Sequence, residues 1–212
     1  MNLEFHYWYF TSVLSTKFCD DLIAYGKSKQ EQVALVGGAQ KILEEKQKLS
    51  KKDLKNLQKV RNSNVAWLND TWIYNEIQPY IHTANKNAGW NYQWDYSESC
   101  QFTKYSKNQF YGWHCDSFLK PYENKNDQNF NGKIRKLSVT VSLSDPKDYQ
   151  GGQLEFDLRN REDGKPHIVQ CKEIMPRGSI VVFPSHVWHR VKPVTKGTRH
   201  SLVIWNLGYP FK

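Results

Sequence analysis

Apolar residues recur at helical spacing through the first ninety positions and in short alternating runs after them, and this change of period organises the chain. Ser15 and Thr16 are capping-type residues, and Phe18, Leu22, Ile23 and Tyr25 follow at roughly helical spacing, which predicts a first helix. The Gly37-Gly38 pair breaks the pattern. Between residues 41 and 61, Ile42, Leu43, Leu49, Leu54 and Leu57 are interleaved with charge, as in an amphipathic helical segment with a break near Leu49-Ser50. A third helix is predicted over Asn69 to Asn87, where Trp72, Ile73, Glu76, Ile77, Tyr80 and Ile81 form a stripe with a polar back.

From Gly89 onward, β-branched and aromatic runs are separated by Gly, Pro, Asn and Asp clusters. Strands are predicted near Tyr92–Tyr96, Cys100–Tyr105, Gly112–Asp116, Arg135–Leu143 and Gly152–Phe156. Four more are predicted near His167–Ile168, Ser179–Phe183, His189–Val191 and Ser201–Asn206. The pattern reads as a mainly β protein, a double-stranded β-helix (jelly roll) or a barrel over residues 91–212. Residues 1–90 are read as N-terminal helices packed outside that core, a support region and not an independent domain. Phe118 to Gly132 is the exception: rich in Asn, Lys and Asp, it is too long for a tight turn and has the length of a functional lid or a disordered loop.

Composition narrows the class. At 212 residues, with 39% hydrophobic and 14% aromatic side chains, one sizeable core is available and global disorder is excluded. No run approaches the roughly 18 apolar residues of a membrane span, and MNLEFHYWYF has neither the basic start nor the cleavage site of a signal peptide, so a cytoplasmic protein with no membrane partner is expected. Cys19, Cys100, Cys115 and Cys171 are scattered without a C-x-x-C pair, which argues for reduced thiols and against a structural zinc site or a disulfide scaffold. The net charge of +9 is concentrated in residues 41–61 and 120–136. A basic strip can track a phosphate backbone, but a solvated helix face and a mobile loop give the same counts, so nucleic acid is not the favoured partner.

The run Y-G-W-H-C-D-S-F places His114 and Asp116 two residues apart, so that on a strand both side chains leave the same face while Cys115 points away. An H-x-D tripeptide alone is weak. A late His189 followed by Arg199 ten positions on strengthens it, with a turn through Pro193, Thr195 and Gly197 that would return the chain antiparallel as Ser201–Asn206. Two histidines and a carboxylate on one face of an octahedron leave three positions open, the non-haem Fe(II) arrangement. An Arg that can pair bidentately with a carboxylate suits a diacid cosubstrate. His186 competes with His189, but three positions apart on a strand the two face opposite sides.

With these parts the sequence resembles the Fe(II)/2-oxoglutarate-dependent dioxygenases, and within them the prolyl 4-hydroxylase-like branch of bacteria and phages. The resemblance spans about Gln101 to Leu207. Tyr105 and Tyr111 precede His114 at the family's spacing, although Lys104 stands where the family has Asn. R-K-L-S-V-T-V-S-L-S-D, then Y-Q-G-G-Q-L-E-F, then P-R-G-S-I-V-V-F-P resemble the family's strand, G-G turn and approach to the distal histidine.

The resemblance implies that His114, Asp116 and His189 bind iron and that Arg199 binds the distal carboxylate of 2-oxoglutarate, with Tyr105 and Ser201 as further contacts for it. It implies dioxygen as second cosubstrate, ascorbate as reductant, and hydroxylation of an unactivated C–H bond with release of succinate and carbon dioxide. The substrate it suggests first is a peptidyl proline; a free amino acid or small metabolite is the alternative. Oxidative demethylation of nucleic acid is disfavoured because H-S-L-V-I-W follows Arg199, unlike the block of those enzymes, and a silent jelly-roll binding module would not need triad, arginine and G-G turn together. Trp113, Trp188 and Trp205 flank the motifs, as core aromatics or as an apolar wall round a metal.

Overall fold

The computed structural model describes residues 5–34, 50–118, 120–159 and 165–211. Helix α1 (Thr16–Ser28) starts where Ser15 Oγ accepts the Phe18 N–H at 3.1 Å, and it buries Cys19, Leu22 and Gly26 on one face. Gly26 is required by contact: a Cβ there would lie 2.5 Å from the Phe102 ring. Helix α2 (Lys51–Gln58) begins at the anticipated break, with Ser50 and Asp53 forming a reciprocal capping box. The rest of the 41–61 segment up to residue 49, and the Gly37-Gly38 break, lie outside the described residues. Helix α3 (Thr71–Asn87) buries Ile73, Ile77, Ile81 and Ala84, while Trp72 stays 40% exposed and packs edge-on against Phe18 and Tyr25.

Among the described residues, the large antiparallel sheet runs β1 (Trp8–Phe10), β12 (Ile180–Pro184), β8 (Ile134–Ser142), β15 (Arg199–Gly208), β6 (Cys100–Tyr105), β4 (Asn64–Leu68) and β2 (Gln32–Val33). A short β5 (Tyr96–Ser97) pairs with the far end of β15. Facing it is a smaller sheet in the order β11 (Ile168–Gln170), β10 (Leu154–Asp157), β13 (Trp188–Val191), β7 (Phe110–His114) and β3 (Arg61–Asn62). A separate ribbon joins β14 (Val194–Gly197) to β9 (Tyr149–Gly151). Two facing antiparallel sheets make the mainly β, jelly-roll core that the strand pattern predicts.

Strand periodicity divides the side chains between two cores. Phe102, Leu137, Val139, Val141, Ile180, Val182, Leu202 and Ile204 pack under α1 and α3, while Phe156, Val181, Phe183, Val187 and Val191 pack between the sheets. Full burial of Phe156 or Phe183 contributes on the order of 1.5–3 kcal/mol each.

Three expectations change. The N-terminal region does more than pack helices outside the core: its strands β1, β3 and β4 join the two sheets, and β4 is bonded along its whole length to β6. Residues 90–95 are not a strand; Trp90 and Tyr92 instead fill the helix-side core. β13 and β15 do not form a hairpin, because β13 pairs with β7 and β10 while β15 pairs with β6 and β8. The segment read as a turn is strand β14, which pairs with β9 and carries the chain from one sheet to the other through Gly197 at φ 72°.

Candidate active site

His114 ends β7 and His189 sits in β13, directly paired across the two strands, with ring centroids 4.1 Å apart. Asp116 lies two residues beyond His114, just past the strand end, so the same-face argument gives the right pair for an incomplete reason. What aims Asp116 is a loop clamp: its N–H donates to the Ser185 carbonyl at 2.9 Å, and Ser138 on β8 donates its hydroxyl to Asp116 Oδ2 at 2.7 Å. Ser138 and Ser185 are themselves bonded at 2.9 Å. The Asp116 carboxylate then stands 3.8 Å from His114 Nε2 and 3.6 Å from His189 Nε2. One ligand atom from each of the three residues falls within 4.8 Å of the others.

Both rings present the correct nitrogen. His114 Nδ1 lies 2.8 Å from the Gly112 carbonyl and His189 Nδ1 3.0 Å from that of Val187, so each Nδ1–H is bound to backbone and each Nε2 lone pair faces the cluster. Burial, reinforced by His189, pushes the His114 pKa down to about 3 and keeps the ring neutral. Burial alone would raise the Asp116 pKa, but the two imidazoles, Arg135 and the Ser138 hydroxyl outweigh it and hold the carboxyl below its usual range. Tyr111 stacks on His114 with centroids 3.5 Å apart, and Phe183 meets His189 edge-on at 4.7 Å. Two imidazole Nε2 atoms and a carboxylate converging from one side are the donor set that suits Fe(II).

Arg199 opens β15 and is only 2% exposed. Among the described residues no carboxylate pairs with it; its guanidinium reaches Ser201 Oγ at 3.3 Å and lies 5.6 Å from the Tyr105 ring. Register explains the grouping, since Arg199 is opposite Tyr105, Ser201 is opposite Thr103 and Ser142, and Trp205 is opposite Ser138. One face of the large sheet thus carries Arg199 at one end and the hydroxyl that holds Asp116 at the other. Gly152, at φ 66°, belongs to the same site: a Cβ there would come within 2.9 Å of Arg199 Cδ, so the G-G turn gives the arginine its room.

His186 is exposed and outside the cluster; it lies in the turn between β12 and β13, so the turn and not strand parity separates it from His189. Of the three tryptophans, only Trp205 lies near the triad, 5% exposed; Trp113 and Trp188 lie beneath Arg190 and Arg159, on the other side of their strands from the histidines. Sequence reasoning missed Ser138, Ser185 and the Glu98–Arg135 pair. Arg135 grips Glu98 with two bonds of 2.6 and 2.7 Å, lies 3.9 Å over the Trp205 ring, and influences Asp116 electrostatically. The one available signal was polar alternation in S-V-T-V-S, Ser138 to Ser142, within a strand buried on both faces.

The 118–132 connection is pegged at its base. Tyr122 and Lys133 or Gly132 exchange backbone bonds of 2.9 Å, the Tyr122 hydroxyl donates to Glu98 at 3.2 Å, and Phe130 packs against Tyr96 and Tyr122. Lys133, one of the cations of the 120–136 stretch, is 5% exposed and bound to Asp95 at 2.7 Å. With Arg135 on Glu98 as well, the second basic stretch is largely internal and does not form a strip for phosphates. All four cysteines are free thiols, and no helix among the described residues is long and apolar enough to cross a membrane.

Comparison with known proteins agrees with this geometry. The sequence model of the 2OG-Fe(II) oxygenase superfamily matches residues 100–206. The PKHD-type hydroxylase YbiX of Escherichia coli O157:H7 is 37% identical over 105 residues, 49% of this chain and 40% of that protein, so the match spans less than half of the curated relative. The viral collagen prolyl hydroxylase of Paramecium Bursaria Chlorella virus-1, in its 2OG complex, superposes with a TM-score of 0.61 at 17% identity, covering 97% of both chains. A Trichoplax adhaerens prolyl hydroxylase in complex with a hypoxia inducible factor peptide fragment gives 0.59 at 16% identity, over 95% of this chain and 83% of that one. These structural likenesses establish a shared fold. Together with the profile match over half the sequence, they place the chain in the 2OG-Fe(II) oxygenase superfamily.

Proposed function

We propose that the protein is an Fe(II)- and 2-oxoglutarate-dependent hydroxylase acting on a peptidyl proline. The observation that carries the reading is a buried arginine, Arg199, that has no counter-ion among the described residues and lies on the same sheet face as the hydroxyl that orients Asp116. His114 Nε2, His189 Nε2 and the Asp116 carboxylate would hold the iron, and Arg199 with Ser201 and Tyr105 would hold the distal carboxylate of 2-oxoglutarate. When bound, iron, 2-oxoglutarate and dioxygen supply the oxidising chemistry that converts a C–H bond to a C–OH bond.

The protein's own part is geometric and electrostatic. Ser138 and Ser185 fix one rotamer of Asp116, the backbone carbonyls of Gly112 and Val187 fix the imidazole tautomers, and Phe183, Phe156 and Tyr111 limit water beside the rings. Trp205, stacked under Arg135 at 3.9 Å, closes the sheet face opposite Ser138. The peptide assignment is supported by the likeness to prolyl hydroxylases, one of them described with a bound peptide. The loop rising from Tyr122 is proposed to close over that peptide, with Lys120 and Lys125 at its surface.

The test is to incubate the protein with Fe(II), 2-oxoglutarate and ascorbate in air, with a proline-containing peptide library in one arm and free amino acids in the other. A gain of one oxygen on peptidyl proline, dependent on 2-oxoglutarate, is expected. Oxygen gain confined to free amino acids would replace the peptide substrate by a small metabolite.

A further inference from the structure

A second cleft, separate from the metal cluster, has a volume of about 1140 Å³ and is walled by Trp90, Tyr92, Trp94, Lys136, Tyr209 and Phe211. It exists because the chain after β15 is drawn close to residues 90–95. Gly208 makes that approach possible, since a Cβ there would collide with the Gln93 carbonyl oxygen. Trp90 and Tyr92 stack with centroids 6.5 Å apart, and Phe211 meets Tyr92 edge-on at 4.7 Å, so the walls present several ring faces.

The unusual member is Lys136. Its side chain is 4% exposed, and among the described residues its Nζ makes no hydrogen bond or ion pair; its one recorded contact is the Phe211 ring, 3.4 Å from the centroid. The one carboxylate lining the cleft, Asp95, is neutralised by Lys133 at 2.7 Å, and nearby Glu98 is held by Arg135 at 2.6 Å. Burial lowers the Lys136 pKa, as expected for an ammonium partly withdrawn from water against a ring. A ring face satisfies an ammonium only partly and leaves its N–H donors available to an acceptor. Aromatic walls with one convergent cation are the features of a site for a planar anion.

We propose that this cleft binds a small aromatic carboxylate, its anionic group on Lys136 Nζ and its ring among Trp90, Trp94 and Phe211. No side chain of the cleft belongs to the Arg199 or triad site, and the link between them is the Lys136 carbonyl, which accepts the Ser185 N–H at 3.0 Å.

Calorimetry with indole-3-acetate and with uncharged indole-3-acetamide tests this, on anaerobic Fe(II)-loaded protein saturated with 2-oxoglutarate so that Arg199 is already occupied. The acetate should bind at least ten-fold tighter than the acetamide. Lys136→Gln should erase that preference and Lys136→Arg should keep most of it. Phe211→Ala, at a position 47% exposed and outside the core, should weaken both probes alike. Equal affinity of the two probes for the unmodified protein, no binding of either, or a preference that survives in Lys136→Gln would overturn the proposal. Displacement of indole-3-acetate by 2-oxoglutarate would overturn it too, by moving the carboxylate to Arg199.

Discussion

Replacing Arg199 by Met separates what this residue does for the fold from what it does for the ligand. Arg199 is 2% exposed, reaches Ser201 Oγ at 3.3 Å, lies 5.6 Å from the Tyr105 ring, and has no carboxylate partner among the described residues. An unpaired buried charge contributes little or negatively to stability, so ligand-free Arg199→Met should be no less stable than the parent. With the ligand the outcome reverses. Losing one side of a desolvated charge pair costs roughly 2–5 kcal/mol, or about 30- to 5000-fold in 2-oxoglutarate affinity. Thermal unfolding in anaerobic Fe(II) reads both quantities. At 2-oxoglutarate about 100 times its Kd, binding stabilises the parent by about 2.7 kcal/mol, which for a chain of this size raises Tm by about 5–10 °C. In the variant the same concentration is at most about three times Kd, leaving a rise of no more than about 3 °C. Arg199→Lys should recover part of the shift. A ligand-free Arg199→Met that loses about 3 kcal/mol or more, or one that keeps the full shift with 2-oxoglutarate, would refute the reasoning.

Three other outcomes follow from particular contacts. Gly152→Ala places a Cβ 2.9 Å from Arg199 Cδ at a φ of 66°, so it should raise the 2-oxoglutarate requirement about ten-fold or more while iron content, measured by metal analysis, stays unchanged. His200, whose burial, with Lys27, Lys104 and Arg199 nearby, lowers its pKa to about 4, remains unprotonated in the folded state when the unfolded chain already binds a proton. Stability from this group should therefore be complete above about pH 6.5 and fall by about 2 kcal/mol by pH 5, and urea melts should show a fall smaller by about that amount in His200→Gln, His114 and the other depressed histidines supplying the rest. Replacing residues 121–131 by a short Gly/Ser linker removes Tyr122 and its bond to Glu98; coupled hydroxylation should be lost while substrate-free decarboxylation of 2-oxoglutarate persists, and equal retention of both would end the lid proposal.

The triad and Arg199 were legible because their signal is local: a two-residue spacing, a G-G turn and a fixed interval to the arginine. Their supports were not, because Ser138 and Ser185 reach the site from 22 residues beyond Asp116 and from 47 residues beyond that serine. Strand β4 was hidden by its own burial: Val65, Ala66 and Leu68 are all covered, so its five residues show no alternation. The β13–β15 hairpin failed for a related reason, since turn residues at Pro193 and Gly197 mark a change of direction without saying which sheet the chain enters. Lys133 and Lys136 show the limit of charge counting, because both are buried, one on a carboxylate and one against a ring.

The central claim is that His114, Asp116 and His189 hold one iron whose open face receives 2-oxoglutarate. Anaerobic titration of the protein with Fe(II) in the presence of 2-oxoglutarate, followed by the weak visible charge-transfer band, measures this directly. The account predicts saturation at one iron per chain, an unchanged band in His186→Ala, and no band in His114→Ala, Asp116→Ala or His189→Ala. A band that survives in His189→Ala and disappears in His186→Ala would contradict it.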